Sequence, residues 1–166
     1  MRHKLIPLIL FLAFSLNHLR AQTPRKIIDS LLVRVQEKLP ADQLANMYGE
    51  LGWQYAAINL DSAICFGQKA VEKAEEAKDP QILAQAYSDL GSGILQKGDL
   101  QASKKLYLQS LKIREEIKDS LGMAKSYNAL GFIYQREYQT DSAIACSAMA
   151  AAQSSIPSLG TIGKPP

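Results

Sequence analysis

Between residues 41 and 152 apolar side chains return every three or four positions, with polar residues between them. Leu44, Tyr48, Leu51 and Tyr55 form one such stripe, Leu83, Tyr87, Leu90 and Ile94 a second, and Tyr127, Leu130 and Tyr134 a third. That spacing predicts helices that bury one face. Each stripe is followed by a turn and a second helical pattern. The first carries Ile64, Ala70 and Val71, the next Leu106, Leu111 and Ile117 over about 100–117, and the last starts near Asp141. Asp61, Asp79 ahead of Pro80, Asp119 or Ser120, and Asp141 are the expected N-caps, with Gly98-Asp99 as a tight turn. A further helix is predicted over 24–39, where Ile27, Ile28, Leu31, Leu32, Val35 and Leu39 share a face before Pro40. No stretch alternates with the two-residue period of a strand.

The stripes are copies of one another. Leu51-Gly52, Leu90-Gly91 and Leu130-Gly131 recur at intervals of 90 − 51 = 39 and 130 − 90 = 40. Lys78-Asp79 returns one such interval later as Lys118-Asp119, and Asp61-Ser62-Ala63-Ile64 returns two intervals later as Asp141-Ser142-Ala143-Ile144. A period of this size means stacked hairpins, each hiding its apolar face on a neighbour. The expected fold is therefore all-α, an α-solenoid of about three helix pairs with a lead-in helix covering its first open face. The units are 41–79, 80–118 and 119–152, followed by a tail at 153–166. The second helix of the third unit departs from the pattern, because no charged residue lies between Ser142 and Gly163. That leaves the last unit without a polar cap, and end-to-end self-association through it is an alternative role for the chain.

Charge and chemistry narrow the reading. Arg2, His3 and Lys4 precede an apolar run from Leu5 to Leu16, and Ala21 offers a small residue at a cut before Gln22. Residues 1–21 are expected to be an export signal; kept in place, the same segment would be an anchor, although it is shorter than the roughly 20 residues of a spanning helix. Without it, 19 − 3 = 16 basic residues face 16 acidic ones. A near-neutral chain argues against nucleic acid or an anionic membrane as partner. His3 and His18 also leave, and with them the commonest general base and metal ligand. No cofactor, metal or catalytic activity is expected. Cys65 and Cys146 fall in the first and third units, too far apart to be bridged. Glu75-Glu76, Glu115-Glu116 and the basic set Lys104, Lys105, Lys112 and Arg114 are expected on solvated faces.

The repeated residues resemble the tetratricopeptide repeat over about 41–152. Tyr48, Tyr87 and Tyr127 stand three residues before each Leu-Gly, and Tyr55, Ile94 and Tyr134 three after each glycine. Ala63, Ser103 and Ala143 are the small residues early in the second helices, with Ala70, Ser110 and Ala150 seven further on. The resemblance implies a groove, lined by the first helix of each pair, that takes a protein or peptide partner. Offset from the core stripe, its residues would be Asn46, Gly49, Trp53, Ala56 and Ala57, then Gln85, Ser88, Ser92, Leu95 and Gln96, then Lys125, Asn128, Phe132, Gln135 and Arg136. Trp53 and Phe132 hold equivalent places, either as anchors for the partner or packed on a neighbouring helix. The carboxylate clamp of one subfamily does not carry over, because Gly49, Trp53, Asp89 and Ala129 stand at its other places. The chain also resembles exported bacterial arrays that precede histidine kinases or transcription regulators, which implies a periplasmic interaction module with a sensory role.

Overall fold

The structure, a computed structural model, describes residues 25–155. The expected export signal and all of the tail beyond Ser155 lie outside the described residues. The chain divides at Leu39–Pro40 into two units. In the first, α1 is helical over 25–34 and ends earlier than its apolar pattern. Val35 N–H still reaches the Leu31 carbonyl, but Gln36 and Glu37 bond three residues back, to Val33 and Arg34. That tightening is how a helix closes its last turn.

The second unit holds α2 (Ala41–Tyr55), α3 (Leu60–Ala77), α4 (Pro80–Lys97), α5 (Leu100–Glu116), α6 (Ser120–Arg136) and α7 (Thr140–Ser154). No strand occurs among the described residues. The helices pair as α2/α3, α4/α5 and α6/α7, and each pair packs on the next, with α2 also touching α4. The fold is the expected all-α stack of hairpins.

Within each pair the Leu-Gly step is the point of closest approach. A Cβ on Gly52 would lie 3.2 Å from the Ala63 carbonyl oxygen of α3. A Cβ on Gly91 would lie 3.3 Å from the Tyr107 ring of α5. The small residues seen in the sequence occupy the other side: Ala63 and Ala70 are buried, and Ser103 and Ser110 are fully buried. The two serines remain satisfied because Ser103 Oγ donates to the Gly91 carbonyl at 2.8 Å and Ser110 Oγ to the Ala84 carbonyl at 2.7 Å. Beside these steps sit the larger core residues, Leu51, Leu90, Leu130 and Ile133. The core is segmented accordingly. Ala45, Ala70, Ala74 and Ala86 fill one cluster between the first two pairs, and Tyr107, Leu111, Leu130, Ile133 and Cys146 fill another between the last two. Leu95 packs against this second cluster and does not face the groove. Cys65 and Cys146 are both free, Cys146 buried and Cys65 exposed.

The connections obey a shorter rule than the repeat. The N-caps of α3 to α7 are Asn59, Asp79, Asp99, Asp119 and Gln139, evenly spaced at half the repeat. The first four accept a backbone N–H, from Ser62, Gln81, Ala102 and Gly122 at 2.8–2.9 Å. Asp61 and Asp141 are thus not caps, contrary to the sequence reading. Each stands in the first turn, where its charge faces the positive end of the helix. Just ahead of the last four caps is a left-handed residue: Lys78 (φ 56°), Gly98 (φ 94°), Lys118 (φ 58°) and Tyr138 (φ 59°). The α2–α3 connection lacks such a residue, and it is the place where the first repeat is one residue shorter.

The α6–α7 turn breaks the rule twice. A tyrosine holds the left-handed position, and Gln139 makes no cap bond. Tyr138→Gly should stabilise the protein by about 1 kcal/mol. Gln139→Asp should add about 1 kcal/mol, as a cap does, whereas Gly98→Ala should cost about 1 kcal/mol. Urea unfolding followed by far-UV circular dichroism reads all three.

Candidate functional site

The first helices of the three pairs, α2, α4 and α6, present one face that the core does not use. There they enclose a cleft of about 220 Å³. Trp53, Gln85, Ser88, Ser92 and Lys125 of the sequence-predicted set all line it. Trp53 leans on its rim with 70 % of its surface exposed. Exposure on that scale rules out the packing alternative for Trp53. Asn46 lines an adjoining depression that shares Trp53, Gln85 and Asp89 with the cleft. Asn128 and Phe132 are set apart, in a hollow formed with α7. Phe132 is 45 % exposed, and the Arg136 guanidinium sits 4.9 Å from its ring centroid. The structure therefore splits the predicted set into a cleft and a separate terminal hollow.

Two residues that sequence reasoning missed organise the cleft. Asp89 of α4 stands at its floor, beside the site where a Gly49 Cβ would be, 3.8 Å from Oδ2. Arg114 of α5 comes from the second helix and is only 2 % exposed, not on a solvated face as its basic neighbours suggested. Its guanidinium donates to Gln85 Oε1 at 3.0 Å, to Ser126 Oγ at 3.3 Å and to the Gly122 carbonyl. Its Nε faces Asp119 Oδ2 at 3.8 Å, an ion pair too long for a hydrogen bond. Gln85 passes the chain on, donating from Nε2 to Asp89 Oδ1 at 2.8 Å. One polar network thus runs from a buried cation in α5 through Gln85 to a carboxylate at the cleft floor, and it fixes the Gln85 side chain. Ser88 is also committed, because its hydroxyl meets Ser110 Oγ at 2.8 Å.

The sequence did hold a signal for Arg114. Gly122 lies in the first turn of α6, where no positive φ requires glycine. A Cβ there would meet Arg114 Cδ at 2.6 Å and Asp119 Oδ2 at 2.0 Å. The glycine makes room for the arginine. Lys104 departs from the expected solvated face as well: it is half-buried, pairs with Glu137 at 2.8 Å and lies 4.5 Å from the Tyr134 ring centroid.

Electrostatically the cleft is mixed. Desolvation raises the Asp89 pKa, against the opposing pull of the Gln85 hydrogen bond and the Arg114 and Lys125 charges. Burial lowers that of Arg114, although the Asp119 and Asp89 carboxylates oppose it. Asp89 keeps part of its surface in solvent, which screens these charges.

Residues 82–153 match the family described as tetratricopeptide repeat. The TPR domain of Arabidopsis FLU superposes with a TM-score of 0.64 at 19 % identity, over 69 % of this chain and 97 % of that domain. BtubC (BKLC) from P. vanneervenii superposes with a TM-score of 0.70 at 17 % identity, over 86 % of this chain and 59 % of BtubC. At such identities the likeness is one of fold. No curated protein matches the chain in sequence. The described helices share the fold of these helical-repeat structures; residues 82–153 are similar in sequence to tetratricopeptide repeats, and α2 and α3 follow the same hairpin plan ahead of them.

The raised Asp89 pKa sets a sign. Above its ordinary value the native state holds a proton that the unfolded chain has released, so this residue's contribution falls as pH rises through that window. Asp89→Asn keeps the Gln85 hydrogen bond and removes the charge. The variant should melt higher than the parent at pH 7, and the gap should close as pH is lowered through the carboxylate range. Thermal melts at a series of pH values test this.

Proposed function

We propose that the chain is a protein-interaction module whose cleft grips an extended segment of a partner protein. Folds of this family generally serve protein–protein contact, and that much agrees with the repeat match and the fold neighbours. The observation that carries the finer reading is the exposure of Trp53 beside a cleft built from three successive first helices. An indole left 70 % exposed offers a large rigid surface at small entropic cost to a partner. Ser92, Lys125 and the Asp89 carboxylate surround it with polar groups that can orient a peptide backbone and its charged side chains. Phe132 and Arg136 continue the surface towards α7 and suit an apolar residue next to an acidic one. Binding, with no reaction, is the role this set of residues suits.

The leader-like residues 1–21 support export as part of the same proposal, with the bacterial periplasm as the compartment and ligand sensing for a signalling protein as the setting. Mass spectrometry of the protein recovered from an envelope fraction should find a chain that starts at Gln22; a chain that keeps Met1 and stays in the membrane would favour the anchored form.

The partner surface is tested with Trp53→Ala, Phe132→Ala and the double variant, all at exposed positions that leave the core intact. Each is used to capture proteins from solubilised cell envelopes, with the parent as reference. Loss of an aromatic anchor should cost about 2 kcal/mol, roughly a thirtyfold weaker hold. Undiminished capture by a folded double variant would sink the proposal.

A further inference from the structure

Neighbouring pairs in this fold are joined by a fixed pairing rule, and α7 carries one half of it that has no counterpart among the described residues. At the first joint, Asp61 of α3 pairs with Lys97 of α4 at 2.7 Å, 36 residues ahead. At the second, Gln101 of α5 donates to Glu137, again 36 residues ahead, and Lys104 joins the same carboxylate. Below the polar contact the apolar part follows the same register. A Cβ on Gly93 would lie 3.4 Å from Ile64, and one on Gly67 would lie 3.1 Å from Leu90. Leu90, Gly93 and Lys97 of α4 therefore lie along Gly67, Ile64 and Asp61 of α3, running antiparallel.

On α7 the residues equivalent to Asp61, Ile64 and Gly67 are Asp141, Ile144 and Ser147. Asp141 and Ile144 belong to the letter-for-letter copy of the first joint. Ile64 is half-buried beneath α4, whereas Ile144 is 63 % exposed, and Asp141 is exposed with no ion pair among the described residues. The hollow beside α7, lined by Gly131, Phe132, Ala143, Ile144 and Ser147, is the counterpart of the wall that Gly52, Trp53, Ala63 and Gly67 give to the cleft.

From this register we infer that the open face of α7 is a docking site for one amphipathic helix of a partner protein, with the side chains that α4 presents to α3. The helix carries a leucine, a small residue three positions on, and a lysine or arginine seven positions on. Its cation meets Asp141, its small residue lies over Ile144 and its leucine lies on Ser147. A cation is required because α7 repeats the acidic first joint and not the second, where the polarity is reversed. A second copy docked through α2 does not fit. The residues equivalent to Leu90 and Lys97, one repeat earlier, are Leu51 of α2, already fully buried, and Ile58 in the turn after α2, which has no charge. The Ser147 hydroxyl turns back to the Ala143 carbonyl at 3.0 Å, so it adds only its Cβ to the contact.

The probe is a synthetic peptide of residues 80–97 of this chain, held helical by a covalent bridge between positions 81 and 85, on the side away from the contact. Binding to the full chain is read by fluorescence anisotropy. The parent should bind. Asp141→Lys should weaken binding at least about threefold, and a peptide with Lys97→Glu should recover it on that variant alone. Ile144→Asp should abolish it, with the helical circular dichroism signal of both variants unchanged, as befits exposed positions. Absence of binding, or binding indifferent to Asp141 and Ile144, overturns the inference. So does concentration-dependent dimerisation in sedimentation that Ile144→Asp removes, because a second copy would then cover the face.

Discussion

Close passage of two helices at a residue without a side chain is the constraint from which this molecule is built. At Gly52 and Gly91 the neighbouring helix lies where a Cβ would be, within 3.2–3.3 Å. Ala63 and Ser103 are the small partners on the opposite helix, so hairpins of very different composition take one shape. A serine serves there as well as an alanine because the nearby Gly91 carbonyl accepts its hydroxyl. Once the hairpin shape is fixed, the large residues fall into line beside the crossing, and the pairs stack in one register. Packing of this kind tolerates little change in volume.

That register also makes the cleft. The core takes the tyrosine and leucine stripe of each first helix, which leaves Trp53, Ser92 and Lys125 on a shared face. The fold places them, but it does not orient the polar groups; that is done by a network reaching in from the second layer. Arg114 is buried, spreads its donors over Gln85, Ser126 and the Gly122 carbonyl, and holds Gln85 so that its amide meets Asp89. A guanidinium suits this role because its flat fork of donors can satisfy several acceptors at once and stays charged when buried. The cleft thus has a stiff floor and one free aromatic at its rim.

Much of the architecture was legible in the sequence because it is periodic. The Leu-Gly steps, the aromatic residues three positions either side and the small residues of the second helices all state the hairpin in plain residue types. The errors came where one position was read alone. Asp61 and Asp141 look like caps by residue type, but the caps recur twice in every repeat, at Asn59, Asp79, Asp99, Asp119 and Gln139. Comparing both halves of each repeat, and not only whole repeats, exposes that. Half of the predicted site residues converged on the cleft, since the helical offset from a core stripe is simple geometry. Arg114 was missed because its neighbours Lys105 and Lys112 are exposed and a burial partner 8 residues ahead is not written in any local pattern. Only Gly122, a glycine with no turn to make, marked the place.

The pairing of α3 and α5 with a residue 36 positions ahead has an outcome for how such a chain can change in length. Deleting or duplicating one whole repeat returns every helix to an equivalent seat, although the charges that meet at the new joint change, because the two joints have opposite polarity. A change that overshoots or falls short by a couple of positions would turn each later helix off its seat by a large part of a revolution. The molecule therefore behaves like a ratchet. It can gain or lose whole teeth and keep its register, but no fraction of a tooth.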